Sequence, residues 1–237
     1  MKVMTFNIQH CLDYKKNKIN IPLFVETIKQ YGADICGLNE VRGKGNLFGY
    51  TDQTNALGDG LSFNRYFAKA IKVNGRGPYG NAVVSRYPLK STETVMIPDP
   101  DDKNEDGCFE TRCILKSVID VDGKDVCVLV CHMGLENSER VNAVATLCKI
   151  IDEITTPLIL MGDFNTTPDN EVLKPLYLRL NDTDLLADDM GAFTYPSYDP
   201  EKKIDYIFYK GLTCKKVETI TEVVSDHFPI IAEFSVE

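Results

Sequence analysis

Asp163 and Asn165 stand two residues apart, behind the apolar run Leu158-Ile159-Leu160-Met161 and Gly162. In extended chain that spacing points both side chains the same way, so a carboxylate and an amide project together from the end of a buried strand. Gly162 lets backbone or ligand approach closely. Asp, Asn and Gly are also ordinary turn residues, and this pair alone reads as a strand running into a turn. The arrangement recurs, however. Asn7, Glu40, His132, Asp205, Asp226 and His227 all flank apolar strand runs, and the chain's 3 histidines each lie just beyond a strand. Gathered on one rim, these residues make a cluster of carboxylates, amides and imidazoles with no serine elbow and no lysine nucleophile. Such an inventory suits an oxygen-rich substrate and a hard cation, Mg²⁺ or Mn²⁺, ahead of zinc or copper.

The elements that must carry these residues read as follows. A first strand covers Lys2 to Phe6. Asn20 and Pro22 open a helix that runs to Tyr31 and stops at Gly32. A buried strand from Ala33 to Leu38 delivers Asn39 and Glu40, and a short helix follows around Asn55 to Phe63. Strands from Tyr66 to Val73 and Ala82 to Arg86 flank a Gly-rich connection over 74–81, and another strand covers Thr92 to Ile97. Pro98 to Gly107 reads as an acidic loop. Phe109 to Val121 and Lys124 to Cys131 form a hairpin about Asp122-Gly123, with Glu110 and Arg112 on one face of the first strand. Asn137 or Ser138 caps the helix that bears Val141, Val144, Ala145, Cys148 and Ile151. A helix over 169–178, strands at Ile204 to Tyr209, Lys215 to Val224 and Phe228 to Phe234 complete the chain. Asn181 to Tyr198 has no readable pattern.

Hairpins mixed with helix-separated strands predict two packed sheets with helices outside rather than one parallel sheet. No linker or repeat divides the 237 residues, so a single domain over 1–237 is expected. No apolar run approaches the roughly 20 residues of a membrane span, and a strand pattern from Met1 leaves no room for a signal peptide. The 8 cysteines include no Cys-x-x-Cys, and Cys36, Cys113, Cys127 and Cys131 sit in apolar strands, where they read as reduced thiols. A cytoplasmic protein with no stable membrane insertion is expected. The net charge of -9 argues against a tight non-specific nucleic-acid binder, but leaves room for a phosphate-ester substrate beside a bound cation.

Met4-Thr5-Phe6-Asn7, Gly37-Leu38-Asn39-Glu40-Val41, Glu110-Thr111-Arg112, Cys131-His132-Met133-Gly134-Leu135, Gly162-Asp163-Phe164-Asn165, Ile204-Asp205-Tyr206 and Ser225-Asp226-His227-Phe228-Pro229 occur in one order along the chain. In this the chain resembles the endonuclease/exonuclease/phosphatase superfamily, which includes deoxyribonuclease I, abasic-site endonucleases, deadenylases, neutral sphingomyelinases and inositol polyphosphate 5-phosphatases. The resemblance implies an α/β fold, a four-layer α/β/β/α sandwich of two mainly antiparallel mixed sheets with helices outside. It implies a Mg²⁺-dependent phosphoesterase in which water attacks phosphorus in line.

Position by position, the resemblance implies Glu40 as the principal metal ligand with Asn7 beside it, and Asp226 completing the shell through water. Asp163 orients or deprotonates the attacking water, and Asn165 holds Asp163 or the phosphate. His227 donates to a phosphoryl oxygen, and Asp205 fixes its tautomer. His132 contacts the phosphate or leaving group, or is bonded inside the core. Arg112 reaches the phosphate or pairs with Glu110. Asn81 faces the substrate or serves a turn, and His10 touches the substrate or lies on the surface. The chain has Asn39-Glu40-Val41-Arg42 where abasic-site endonucleases carry a Gln-Glu-Thr-Lys type motif. Gln9 stands where some branches carry an Asp, there is no Trp, and no apolar membrane hairpin of the sphingomyelinase kind is evident. The branch stays open between nuclease, with nucleic acid as partner, and small-molecule or lipid phosphoesterase. The reading from a different class is an inactive member kept as a binding module.

Overall fold

The computed structural model describes residues 1–47, 49–73, 75–103, 107–186 and 192–236. In chain order its elements are β1 (Lys2–Asn7), β2 (Leu12–Asp13), β3 (Lys18–Ile19), α1 (Ile21–Tyr31), β4 (Ile35–Arg42), α2 (Gln53–Leu61), β5 (Asn64–Val73) and β6 (Gly77–Ser85). Then come β7 (Leu89–Met96), β8 (Cys113–Val121), β9 (Lys124–His132), α3 (Asn137–Glu153), β10 (Leu158–Asp163) and α4 (Lys174–Tyr177). The chain closes with β11 (Asn181–Asp182), β12 (Asp205–Lys210), β13 (Thr213–Thr219) and β14 (Ile230–Ser235).

Among the described residues two six-stranded sheets form, ordered β13-β14-β1-β4-β6-β5 and β11-β12-β10-β9-β8-β7. Each holds one parallel pair at its centre, β1 with β4 and β9 with β10, and antiparallel neighbours elsewhere. A parallel pair needs a crossover. Helix α1 supplies the first and α3 the second. The C-terminal ends of both central pairs carry Asn7, Glu40, His132 and Asp163, so one topology, used twice, delivers four of the candidate residues.

Strand alternation builds the layers. On β9, Val126, Val128 and Val130 pack between the sheets with Val3, Ile35, Val83, Ile159 and Met161. Cys127, Leu129 and Cys131 face outward against Leu147, Ile150 and Ile151 of α3. On the other side, Met4, Phe6, Cys36 and Leu38 pack under Phe24 and Ile28 of α1 and Leu57 of α2. Helices therefore cover the outer faces of two packed mixed sheets, as expected. The Asp122-Gly123 turn joins Val121 to Lys124 as a two-residue hairpin with both φ angles positive, the geometry Asp-Gly favours.

Several boundaries differ from expectation. Strand β6 begins at Gly77, not Ala82, because β5 pairs with it down to Val73 and Gly77. A Cβ at Gly80 would lie 2.0 Å from the Ala68 carbonyl oxygen, so the glycine there admits a close strand rather than making a loop. Asn81 is consequently mid-strand and serves no turn. Strand β8 starts at Cys113, not Phe109, since the Glu110 N–H is taken by the Glu139 side chain at 2.9 Å. Glu136, not Asn137 or Ser138, precedes α3 as its cap residue, and its N–H donates to Glu139 at 3.2 Å. The helix over 169–178 is a 3-10 turn, Glu171–Leu173, then the four-residue α4. Pro175 lacks the N–H a continuous helix requires. Strand β13 stops at Thr219, where Ile220 turns to bond Pro229. Part of the acidic loop (104–106) and part of the unreadable region (187–191) lie outside the described residues.

Candidate active site

The rim residues converge on one open cleft of about 500 Å³, lined by Glu40, Tyr79, Glu110, Arg112, His132, Leu135, Asp163, Asn165, Tyr195, Lys202, Ile204, Asp226 and His227. Seven of the eleven expected residues line it. Asn7 lies directly beneath, and Asp205 lies behind His227. Asn81 and His10 are not in the lining.

Asp163 is the hub. It is 1% exposed. Its Oδ1 accepts the Asn165 N–H at 2.9 Å and its Oδ2 accepts the Asn7 amide at 3.0 Å. His132 Nε2 and His227 Nε2 stand 3.5 and 3.6 Å from the same Oδ2. Burial pushes the Asp163 carboxyl up to about 7; the facing His227 pulls it back and Asp205 adds to the rise. Gly162, at φ 143°, makes this corner possible: a Cβ there would sit 1.8 Å from the Cys131 carbonyl oxygen.

The two histidines carry different charges. Burial alone would lower the His227 pKa, but Asp205, Asp163 and Asp226 outweigh it and raise it to about 10. Nδ1 bonds Asp205 Oδ2 at 2.9 Å, so the ring is a fixed imidazolium. His132 is held well below the usual value by burial, then by Arg112 and His227, and is neutral. Arg112 Nη1 lies 3.2 Å from His132 Nδ1. Arginine has no acceptor, so Nδ1 accepts and the proton sits on Nε2, toward Asp163. The His132–Asp163 contact is therefore dipolar rather than an ion pair. Arg112 also lies 3.5 Å from Glu110. It pairs with Glu110, one of the two expected alternatives, and also lines the cleft.

Glu40 sits at a bulge between Leu38 and Val41 with φ 60°. A left-handed glutamate costs roughly 1–3 kcal/mol and is retained where a side chain must be re-aimed. Tyr79 Oη donates to Glu40 Oε2 at 2.8 Å and Asn7 donates to Oε1 at 3.1 Å. Asn7 thus turns its nitrogen to the carboxylates, and its oxygen accepts the Gln9 N–H at 3.1 Å. In this geometry Asn7 braces Glu40 and Asp163 through its nitrogen and stands beside Glu40, where it was expected. Asn81 is 2% exposed and its amide bonds Asn39 and Cys113, which leaves nothing for a substrate. The His10 ring lies tilted beside that of Tyr79, with centroids 6.4 Å apart. Its pKa is lowered by burial first and then Arg42.

Tyr79 and the segment 192–198 escaped the sequence reading. Thr194 Oγ1 accepts the Ile204 and Asp205 N–H groups, Ser197 bonds the Asp226 and Ser225 carbonyls, and the Tyr195 ring lies 4.7 Å from that of His227. This segment ties β12 to the Ser225–Phe228 turn through isolated bonds with no sequence period.

Two groups of side chains could take a cation. Asp163, Asp205 and His227 bring ligand atoms within 4.8 Å of one another, but a protonated His227 already fills that role with its own charge. Glu40 and Asp226 fit better. Both face the cleft, and the Asp226 carboxyl is pushed up, by burial first and with Glu40 adding to the rise. An all-oxygen pair of mutually repelling carboxylates suits a hard divalent ion.

The shifts predict a pH effect on the metal-free fold. His227 binds its proton more tightly folded (about 10) than its ordinary 6.5. Its contribution is complete below about 6.5 and lost as pH rises through about 10. Asp163, about 7 against 3.8, acts in the same direction as pH rises through 7. Thermal melts without metal should show Tm falling between pH 6.5 and 10, and a divalent ion should raise Tm more at pH 8 than at pH 6. A Tm that climbs across that window contradicts the assignment.

A family model described as Endonuclease/Exonuclease/phosphatase family matches residues 4–227. An Escherichia coli K12 protein described as Uncharacterized protein YbhP is 27% identical over 249 residues, covering 98% of this chain and 95% of that one. Among solved structures, a family protein from Leptotrichia buccalis C-1013-b superposes with a TM-score of 0.79 at 24% identity over 99% of each chain. A mannosyl-6-phosphatase from Bacteroides thetaiotaomicron VPI-5482 does so with a TM-score of 0.79 at 17% identity, again over 99% of each. These two likenesses show the fold. The family match, which runs from the first strand to His227, shows that the chain belongs to the endonuclease/exonuclease/phosphatase family, whose members act on phosphoester bonds.

Proposed function

We propose that the protein hydrolyses a small phosphoester by in-line attack of water on phosphorus, with Mg²⁺ (or Mn²⁺) held by Glu40 and Asp226. The observation that carries this reading is the buried Asp163, with a carboxyl near 7, standing 3.6 Å from a fixed imidazolium in the lining of an open cleft. A bound divalent ion supplies charge neutralisation at the phosphoryl oxygens. Asp163 Oδ2 receives the proton of the attacking water, and a base near 7 is matched to neutral pH. His227 Nε2–H donates to a non-bridging oxygen, and Asp205 keeps that proton aimed. His132 Nε2–H and Arg112 line the same wall and bind phosphate, while Asn165 holds the Asp163 carboxylate through its N–H. The leaving oxygen departs opposite the water and takes a proton from solvent.

A cleft of about 500 Å³ is of small-molecule size, and a net charge of -9 disfavours tracking a polyanion. Both support a small phosphoester over a nucleic-acid polymer. The eight cysteines are free thiols, which supports the cytoplasm; no helix among the described residues is long and apolar enough to cross a membrane.

The substrate class is tested with p-nitrophenyl phosphate, its bis ester, sugar phosphates, and single-stranded DNA and RNA. Turnover of the small esters should exceed that of the polymers; polymer-only activity contradicts the substrate reading. Glu40→Ala should raise the metal concentration for half-maximal rate at least about tenfold. An unchanged metal dependence removes Glu40 from the ligand set.

A further inference from the structure

Glu40 and Asp163 come from different sheets, and the layer between those sheets is apolar. Apolar packing is non-directional. Close-packed side chains limit how far one sheet slides over the other, yet a shift of only about 1 Å at reacting groups costs on the order of 10²-fold in rate. Directional bonds set the offset more finely: Asn7 joins the Glu40 and Asp163 side chains, and a second link reaches the Asp163 backbone. The structure assigns that second link to Asn39, braced by Asn81: we infer that this buried amide pair is a positioning device that locks the sheet bearing Glu40 to the sheet bearing Asp163.

Asn39 precedes Glu40 on β4, and its side chain crosses to the other sheet. Its Nδ2 donates to the Cys131 carbonyl of β9 at 3.0 Å, and its Oδ1 accepts the backbone N–H of Asp163 on β10 at 3.0 Å. The remaining Nδ2 hydrogen goes to Asn81 Oδ1 on β6 at 2.9 Å, and Asn81 Nδ2 donates to the Cys113 carbonyl of β8 at 2.9 Å. Both residues are buried, at 0% and 2% exposure. Three hydrogen bonds therefore cross the apolar layer, and one of them ends on the backbone of Asp163 itself. Gly162 provides the room, since a Cβ there would lie 3.2 Å from Asn39 Oδ1. An amide suits this place because it donates and accepts without charge. An aspartate would lack both donors and add a buried negative group beside Asp163.

This inference deepens the phosphoesterase reading and rests on it for its kinetic readout. The test is Asn39→Ser in the full chain, with amide hydrogen exchange and steady-state kinetics at saturating metal. The Asp163 N–H should exchange at least about tenfold faster, while Ile159 and Leu160 on the same strand keep their protection. The kcat should fall roughly 10²-fold with KM little changed. Val144→Ala, a buried change in α3 remote from the cleft, should lower Tm and leave kcat intact. Should Asn39→Ser fail to fold, Asn81→Ser removes only the brace and should act in the same direction to a smaller extent. Unchanged kcat, or a kcat loss with Asp163 exchange unaltered, overturns the inference. If the wild type hydrolyses no phosphoester, the proposed function fails, and Asp163 exchange alone then decides whether the clamp exists.

Discussion

Asp163→Asn should lower kcat by about 10²- to 10⁴-fold, the span expected when a positioned general base is removed, or roughly 3–5 kcal/mol of barrier. The substitution keeps the shape and removes the proton acceptor. Oδ1 still accepts the Asn165 N–H at 2.9 Å, so the local turn survives. The native carboxylate is 1% exposed and its ionisation is opposed by burial. Removing that charge relieves a cost, and Tm should stay within a few degrees of the wild type at pH 8. A variant with more than about a tenth of the native kcat places the base elsewhere. One that loses activity in step with a collapsed Tm shows that Asp163 holds the fold instead.

His227→Ala and Asp205→Ala should each lower kcat by about 10²- to 10³-fold, and the double variant should be scarcely worse than the poorer single. The reason is a shared role. Asp205 Oδ2 fixes His227 Nδ1 at 2.9 Å and is the leading carboxylate in holding the ring charged. Without Asp205 the imidazole loses both its orientation and much of its charge at neutral pH. Without His227 the Asp205 carboxylate has nothing to orient. Losses that multiply in the double variant would show two independent roles and break the pair assignment.

What could be read from residues alone depended on how local each cause was. Gly162 and Asp163 were legible because an apolar run and a glycine corner are properties of a short stretch, whereas Asn165 lies past the strand with φ 50°, bonds Asp163 through its N–H and turns its side chain to the Met133 carbonyl. The helix at Ile21–Tyr31 was legible from Asn20, Pro22 and Gly32 for the same reason. Glu40 was legible as a strand-end acid, but its neighbour was not. Regular alternation sends Asn39 and Glu40 to opposite faces, and a bulge with φ 60° at Glu40 decides how each is finally aimed. Tyr79 was hidden because Gly77, Pro78 and Gly80 look like loop, whereas pairing with β5 forces them into a strand. Asn7 and Asn81 were correctly sensed as unusual polar residues in apolar company. Their partners lie 33 to 156 and 32 to 42 residues away in the chain, so no local rule could tell bracing from ligand or substrate binding. The segment 192–198 has neither helical nor strand period, because single long-range bonds hold it.

The most direct test is hydrolysis of bis-p-nitrophenyl phosphate and p-nitrophenyl phosphate by the purified chain in chelator, then after Mg²⁺ or Mn²⁺ is restored. Release of p-nitrophenol should be absent in chelator, return with the added ion, and be missing from Asp163→Asn under either condition. Folded wild-type protein that releases nothing from any phosphoester under any divalent ion would contradict the enzymatic account and leave the cleft as a binding site.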